Sequence, residues 1–140
     1  MTGFHLRSAA PRVVARLFVE AEQAGASLCV LWLDLDRFRQ VNDSFGYAEA
    51  DAVIARVAGR FRSLVGERGT LLRMGSDEFV ALLPAVDTPD AERMAGRLLA
   101  LIDQPMPLGG MLFRPAVSIG ITWRHAADDP LSLLERADRA

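Results

Sequence analysis

Three acidic side chains stand where predicted strands end. Asp34 follows the unbroken apolar run 28–33, and Asp77 and Glu78 lie at the tip of a predicted hairpin. If the run and the hairpin are neighbouring strands, Asp34 and Asp77 converge, and crowded carboxylates call for a cation that prefers hard oxygen ligands, such as Mg²⁺. Such an ion neutralises phosphate charge and lowers the pKa of an attacking hydroxyl. The alternative is that each residue simply ends a strand at the surface.

Composition narrows the classes of protein that fit. The chain has 140 residues, 51% of them apolar, and a net charge of -2, which suits one folded domain without a nucleic-acid-binding surface. All 16 positions counted as lysine or arginine hold arginine. P-loop kinases and Schiff-base enzymes are excluded because both need a lysine. Cys29 stands alone in an apolar run and no run is long enough to span a bilayer, so we predict a cytoplasmic domain without membrane contact of its own.

The hydrophobic pattern predicts alternating helices and strands. Helices are expected over 11–24, 50–65 and 91–102 and from about 130, where Leu131, Leu134 and Ala137 share a face. Strands are expected over 28–33, 71–74, 79–83 and 116–122, with a further hairpin over 105–113 centred on Gly109-Gly110. Gly75-Ser76 predicts a tight turn in which glycine supplies a positive φ.

The order of these elements predicts the fold. It is α-β-α-α-β-β-α-(β-β)-β-α, and it contains the βαββαβ arrangement of ferredoxin-like α+β folds. We therefore expect a mixed central sheet flanked by helices on one face, as in nucleotidyl cyclases.

Two known protein classes also place Asp-x-Asp after an apolar strand. Haloacid-dehalogenase phosphatases have a threonine soon after the pair, whereas Arg37 and Phe38 follow here. They and response-regulator receivers also need a lysine, which this chain lacks. Both classes are excluded.

The motifs around the acidic residues resemble those of GGDEF domains. Residues 34–46 read D-L-D-R-F-R-Q-V-N-D-S-F-G, similar to that family's D-(I/L)-D-x-F-K-x-(I/V)-N-D-x-x-G. Residues 73–79 read R-M-G-S-D-E-F, similar to R-(Y/F)-G-G-D-E-F. Residues 2–7, 117–121 and 137–140 resemble the family's T-G-L-x-N-R, (V/T)-S-I-G-(I/V) and A-D-x-A-L-Y. The resemblance covers essentially the whole chain.

The resemblance implies a metal and a catalytic group. Asp34 and Asp77 would bind Mg²⁺ or Mn²⁺ together with the backbone carbonyl of Leu35. Asp77 and Glu78 would form the catalytic pair, with Glu78 assisting metal binding or activating the ribose 3′-hydroxyl. Asp36 is expected to be structural.

The resemblance also implies the residues that bind GTP. Asn42 and Asp51 would read the guanine edge, because an amide offers a donor and an acceptor and a carboxylate accepts from the ring N–H and amino groups. Phe38 and Arg39 would lie against the phosphates, and Gly75 and Ser76 would bring backbone close to the substrate. In isolation, Asn42 would be interpreted as a turn residue, Asp51 as a first-turn helix acid and Arg73 as an exposed strand residue. For each of these residues taken alone, the structural interpretation stays open. For the residues taken together at the spacing of the family, it is disfavoured.

The sequence departs from the family pattern at several positions. Ser76 replaces the second glycine of the signature, where a Cβ is expected to crowd the ribose or phosphate. Tyr47 and Ala50 replace the histidine and second glycine of G-H-x-x-G-D. Residues 66–69 read G-E-R-G where the family's inhibitory R-x-x-D would stand, so feedback by product is not expected.

Two functions follow from the resemblance. The first is a weak diguanylate cyclase, a nucleotidyltransferase in which a homodimer condenses two GTP to cyclic di-GMP in bacterial signal transduction. The alternative is a degenerate domain that binds GTP and regulates an attached phosphodiesterase or other output domain. A third possibility, an interaction domain with an empty site, is disfavoured by the intact acidic set. Residues 1–140 are expected to form one domain, truncated at its C-terminal end and excised from a longer protein with sensor or phosphodiesterase domains; a membrane anchor elsewhere in that protein is compatible with this expectation.

Overall fold

A computed structural model describes residues 3–125 and 128–139 of the chain. Within these residues the strands are β1 (Gly3–Leu6), β2 (Leu28–Leu35), β3 (Thr70–Arg73), β4 (Glu78–Pro84), β5 (Met106–Leu108), β6 (Met111–Phe113) and β7 (Val117–Trp123). The helices are α1 (Ala10–Ala24), α2 (Phe38–Val65), α3 (Thr88–Ile102) and α4 (Pro130–Arg139). Thr2 and Ala140, which belong to the opening and closing motifs of the resemblance, lie outside the described residues.

Five strands form the main sheet in the order β1-β3-β4-β2-β7. The pairs β3·β4, β4·β2 and β2·β7 are antiparallel, whereas β1 pairs parallel with β3. The prediction of a ferredoxin-like βαββαβ core with a mixed sheet is therefore confirmed. Strand β1 was not predicted, because four residues that pair with a strand more than sixty positions away leave little local pattern.

Helices cover both faces of the sheet, whereas the sequence predicted one. Alternate residues of β2 point to opposite faces, as the pleat requires. Leu31, Leu33 and Leu35 join a core cluster with α2 and α3. Val30 and the partly buried Trp32 join a second cluster with α1 and α4. The continuous apolar run of β2 is thus explained by burial on both sides.

Helix α2 is broken at Gly46. This residue has φ 85° and ψ 172°, which separates a segment over 38–45 from a longer one over 47–65. Glycine has no Cβ and adopts such a conformation without steric cost. The second segment contains the helix predicted over 50–65, and the first corresponds to the additional helix that the predicted element order has before it, for which no range was predicted.

Of the two predicted hairpin turns, one is confirmed and the other has a different conformation. Gly109 and Gly110 both have positive φ, at 55° and 80°, as a two-residue primed turn between β5 and β6 requires. The turn at Gly75-Ser76 is different from the prediction: neither residue has a positive φ, and β3 and β4 are joined by residues 74–77 rather than by two residues.

Two further expectations are corrected. Leu131 is 67% exposed, whereas Ala137 is buried as predicted, Leu134 is partly buried, and Leu133 is the buried residue that was not predicted. In addition, β2 continues to Leu35, so Asp34 lies within the strand and not beyond its end. Over the part of the chain that the structure describes, no helix has the length and apolarity needed to cross a membrane.

Arg60 ties α2 to the end of α3. Its Nη1 atom donates to the carbonyl oxygens of Leu101 at 3.3 Å, Ile102 at 3.1 Å and Gln104 at 2.8 Å. The last carbonyls of a helix have no partner within the helix, and a cation also complements the negative end of its dipole.

We expect Arg60→Ala to destabilise the domain by about 1–2 kcal/mol, because several carbonyls lose a charged donor. Thermal unfolding followed by circular dichroism measures this loss. Arg56→Ala is the matched control, since Arg56 is exposed on the same helix and repels Arg60. Equal melting temperatures for Arg60→Ala and Arg56→Ala would contradict the capping role.

Candidate functional site

The sheet register places Asp34 beside Glu78. Asp34 on β2 pairs directly with Glu78 on β4 and with Ser118 on β7. Residues paired across antiparallel strands point to the same face. The two carboxylates therefore share the face that α1 and α4 cover.

The hairpin tip adds a third carboxylate. Carboxylate oxygens of Asp34, Asp77 and Glu78 lie within 4.8 Å of one another. The backbone N–H of Leu35 donates to the carbonyl of Asp77 at 2.9 Å, which fastens the tip to the end of β2. The structure thus brings together the acidic residues that the sequence singled out.

Burial and mutual repulsion disfavour the charged forms of these residues. The pKa of Asp34 is raised by burial and by the charges of Asp77 and Asp138. The pKa of Glu78 is raised by burial and by Asp34, Asp77 and Asp138. The buried indole N–H of Trp32 lies close enough to Glu78 to oppose this rise but does not reach hydrogen-bond geometry. A cation among the carboxylates would relieve the repulsion.

Leu35 has only its backbone to offer such a cation. Its side chain is 6% exposed and packs in the core with α2 and α3. Because its N–H is bonded to Asp77, the carbonyl is the one polar group of Leu35 that remains for a ligand.

A fixed turn connects β2 to α2. Ser118 Oγ donates to Asp36 Oδ1 at 2.7 Å, and the Asp36 N–H donates to the carbonyl of Ala116 at 2.9 Å. Asp36 thus serves as an anchor, as expected. Arg37 follows with φ 58°, a left-handed conformation that costs a non-glycine residue about 1–2 kcal/mol.

After this turn the side chain of Phe38 is buried, whereas that of Arg39 is exposed. Phe38 is 6% exposed and belongs to the core, so its side chain is not available to phosphates. Arg39 is exposed at the start of α2. Of this pair, only Arg39 can present a side chain to an anion, while Phe38 can contribute its backbone.

Asn42 and Asp51 lie on opposite sides of the Gly46 kink. Asn42 is half-buried on the first segment of α2, and Asp51 is exposed on the second. Asp51 lines a groove of about 460 Å³ that runs along α2 to Arg62 and includes Arg73 of β3. Arg73 pairs with Phe79, the neighbour of Glu78, so the groove and the carboxylates of Asp34 and Glu78 lie on opposite faces of the sheet.

Arg73 holds the shape of that tip. Its Nε donates to the carbonyl of Gly75 at 3.1 Å and its Nη2 to that of Ser76 at 3.3 Å. Arg73 was recognised as part of the signature motif but was not predicted to have a role in the site. Its position immediately before the turn was the available signal, because an arginine can bond backbone carbonyls only two or three residues away.

Ser76 fits the turn without backbone strain. It is exposed, and neither it nor Gly75 adopts a positive φ. A Cβ on Gly75 would come no closer than 3.6 Å to Glu78 Oε1. The conformation of this turn therefore does not require glycine.

Gly69 occupies the position of the acidic residue in the family's R-x-x-D. A Cβ on Gly69 would lie 2.4 Å from the carbonyl oxygen of Leu82 and 2.6 Å from Leu83 Cδ2. Since backbone cannot move aside cheaply, no acidic side chain fits here.

Comparisons with known proteins agree with this geometry. The family described as "Diguanylate cyclase, GGDEF domain" matches residues 1–140. Diguanylate cyclase TpbB of Pseudomonas aeruginosa is 35% identical over 130 residues, covering 91% of this chain and 30% of TpbB. MucR of the same species, a bifunctional diguanylate cyclase and cyclic di-GMP phosphodiesterase, is 40% identical over 92 residues, covering 66% of this chain and 13% of MucR.

Solved structures show the same fold. The GGDEF domain of TpbB superposes with a TM-score of 0.89 at 34% identity, covering 96% of this chain and 86% of that one. The GGDEF domain of DgcB from Caulobacter crescentus, in complex with c-di-GMP, gives 0.90 at 25% identity, covering 96% and 81%. The chain spans less than a third of the length of TpbB and MucR. It belongs to the GGDEF domain family of cyclic di-GMP signalling.

Proposed function

We propose that this domain binds GTP with a divalent metal ion and, as a homodimer, condenses two GTP to cyclic di-GMP. The observation that carries the proposal is the acidic cluster, in which Asp34, Asp77 and Glu78 bring carboxylate oxygens within 4.8 Å of one another. Uncompensated carboxylates at this distance repel, so the arrangement is best accounted for by a cation.

The donor set fits Mg²⁺ or Mn²⁺. Both ions take carboxylate and carbonyl oxygens, and Mg²⁺ is usually held by one or two carboxylates plus substrate phosphates. Asp34, Asp77 and the carbonyl of Leu35 would hold it. When bound, the ion would neutralise charge on the phosphates and so favour attack at phosphorus.

The remaining residues have separate tasks in this proposal. The 3′-oxygen of each GTP attacks the α-phosphorus of the other, so that two phosphodiester bonds form and two pyrophosphates leave, and Glu78 would accept the proton of the attacking hydroxyl. Asn42 and Asp51 read guanine, and Arg39 attracts the phosphates. Arg73 keeps the turn at Gly75 and Ser76 in place beside the substrate.

A second candidate function is supported by the relatives. NbdA of Pseudomonas aeruginosa, a cyclic di-GMP phosphodiesterase, is 29% identical over 122 residues that make up 16% of that protein. A domain of this type therefore occurs in a protein named for the opposite reaction. In this reading, the present domain binds GTP without forming product and regulates an attached output domain.

Calorimetry with GTP, with and without Mg²⁺, tests the site directly. We expect binding that depends on Mg²⁺ and that weakens about 10- to 100-fold in Asp77→Asn, because one metal ligand is lost. Glu92→Gln, an exposed residue of α3, is the control and should bind as the wild type does. Cyclic di-GMP is then measured in the same mixtures.

The outcomes separate the two functions. Product formed by the wild type supports the cyclase, and binding without product supports the regulatory domain. If the wild type and Asp77→Asn bind GTP equally well with Mg²⁺, the acidic cluster is not the metal site.

Stability in metal-free buffer should depend on the pH. Because the pKa of Glu78 is raised in the folded protein, the folded state holds the proton more tightly, and stability falls as the pH rises from about 4 through that raised pKa. Glu78→Gln should therefore melt about 1–3 °C above the wild type at pH 7. The difference should vanish near about pH 3, where both states are protonated.

Added Mg²⁺ provides the control for this measurement. It should raise the melting temperature of the wild type more than that of Glu78→Gln, since the ion neutralises the same charge. A Glu78→Gln variant that is less stable than the wild type at pH 7 without metal would refute the repulsion.

Arg73→Ala should slow product formation about 10- to 100-fold, because a turn displaced by about 1 Å misplaces reacting groups. Arg73→Lys keeps the charge but lacks the planar fork that reaches two carbonyls, so it should not restore the rate. Both are measured as kcat at saturating GTP, with melting curves to confirm folding. Full activity of Arg73→Lys would mean that the charge, and not the turn, matters.

A further inference from the structure

The β5–β6 hairpin stands beside the kink of α2. Its first strand is rooted in the core, with Met106 and Leu108 only 1% and 2% exposed. The same core cluster holds Val41 from before the kink and Val53 from after it. The base of the hairpin is therefore fixed in the core next to α2, and this fixes the position of the turn at its tip.

The tip contacts both segments of α2. The N–H of Gly109 donates to Glu49 Oε2 at 3.1 Å, just after Gly46. A Cβ on Gly109 would lie 2.7 Å from Cδ1 and 2.8 Å from Cε1 of Phe45, just before Gly46. The backbone of the turn thus lies directly on the Phe45 ring, and one glycine links the two sides of the kink.

The contact at the tip is a local one. A cleft of about 260 Å³ opens between the first segment of α2 and the base of β6, where it is lined by Arg37, Val41 and Phe113 among others. On β6, the side chains of Met111 and Leu112 are 66% and 76% exposed. The tip itself contacts Phe45 at the edge of this cleft, where the ring is 38% exposed and outside the buried core.

The kink needs such a support. At Gly46 the helical conformation is interrupted, so continuous backbone geometry does not fix the direction of one segment relative to the other. Asn42 stands before the break and Asp51 after it. Their relative placement depends on what holds the two segments together.

We propose that the β5–β6 tip is a brace for base recognition. In this inference, Phe45, Glu49 and Gly109 are positioning residues that fix Asn42 relative to Asp51, and so set the affinity for the guanine base. The metal site is built on β2 and β4, and Arg39, which attracts the phosphates, stands at the start of α2 next to β2, six residues before Phe45; neither depends on the brace. The inference rests on the proposed function, because it takes Asn42 and Asp51 as the base-reading pair.

Two adjacent glycines provide a matched test. Gly109 and Gly110 both have positive φ, so alanine strains the backbone at either position. Only at Gly109 does the new Cβ meet the Phe45 ring; at Gly110 nothing lies within 4 Å. The difference between Gly109→Ala and Gly110→Ala therefore isolates the contact with α2.

The probes are GTP and inorganic tripolyphosphate, each with Mg²⁺, titrated by calorimetry into the chain of 140 residues. Gly109→Ala should weaken GTP binding about tenfold relative to Gly110→Ala, in the range expected for residues in contact. Binding of tripolyphosphate should be the same in both. In Phe45→Ala, adding Gly109→Ala should cause no more loss than adding Gly110→Ala, since the ring that the methyl group displaces is gone.

Glu49 gives a second test with little risk to folding. Glu49→Ala removes the acceptor for the Gly109 N–H and should weaken GTP binding, whereas Glu49→Gln keeps an acceptor and should restore it. The brace is overturned if Gly109→Ala and Gly110→Ala bind GTP alike, or if tripolyphosphate binding falls together with GTP binding. A wild-type chain that does not bind GTP at all would refute the proposed function instead.

Discussion

Repulsion among three carboxylates is the constraint around which this domain is built. Asp34 and Glu78 are directly paired across β2 and β4, and the Leu35 N–H holds Asp77 beside them. Charges of like sign stay this close only where the surrounding structure is stable enough to oppose them. That stability comes from strands buried on both faces, because a one-residue slip of β2 would send its whole apolar set to the wrong side. The register that buries the core therefore also creates the acidic cluster.

The parts of the fold that the sequence predicted are those with local causes. An apolar run explains β2, helical periodicity explains α1 and α3, and two glycines with positive φ explain the turn between β5 and β6. The parts it missed depend on distant partners. Strand β1 exists through its pairing with β3, and Asp34 is drawn into β2 because Glu78 and Ser118 flank it. Pairing between strands that are distant in the sequence leaves almost no recognisable pattern in the sequence of either strand.

The site was predictable in its residue types and less so in its geometry. The acidic residues stood out because unpaired carboxylates beside a buried strand are costly, and the motif resemblance then named the family. Phe38 was placed against phosphates by resemblance, whereas its burial commits the side chain to the core. Arg73 was missed because a strand arginine has many ordinary uses, and only the distances to Gly75 and Ser76 reveal what it holds.

The departures from the family pattern leave the three carboxylates of the acidic cluster in place, although Ser76 directly precedes Asp77. Ser76 is exposed and unstrained, Tyr47 is 79% exposed, and Ala50 on α2 is fully buried in the core. In the proposed function, the metal end of the site would stand on the sheet, whereas the base-reading end would stand on a helix broken at Gly46. Sites on regular elements keep their geometry more closely than those that depend on a hinge. Under the proposed function, changes around the kink would therefore affect base recognition before they affect the metal site on the sheet.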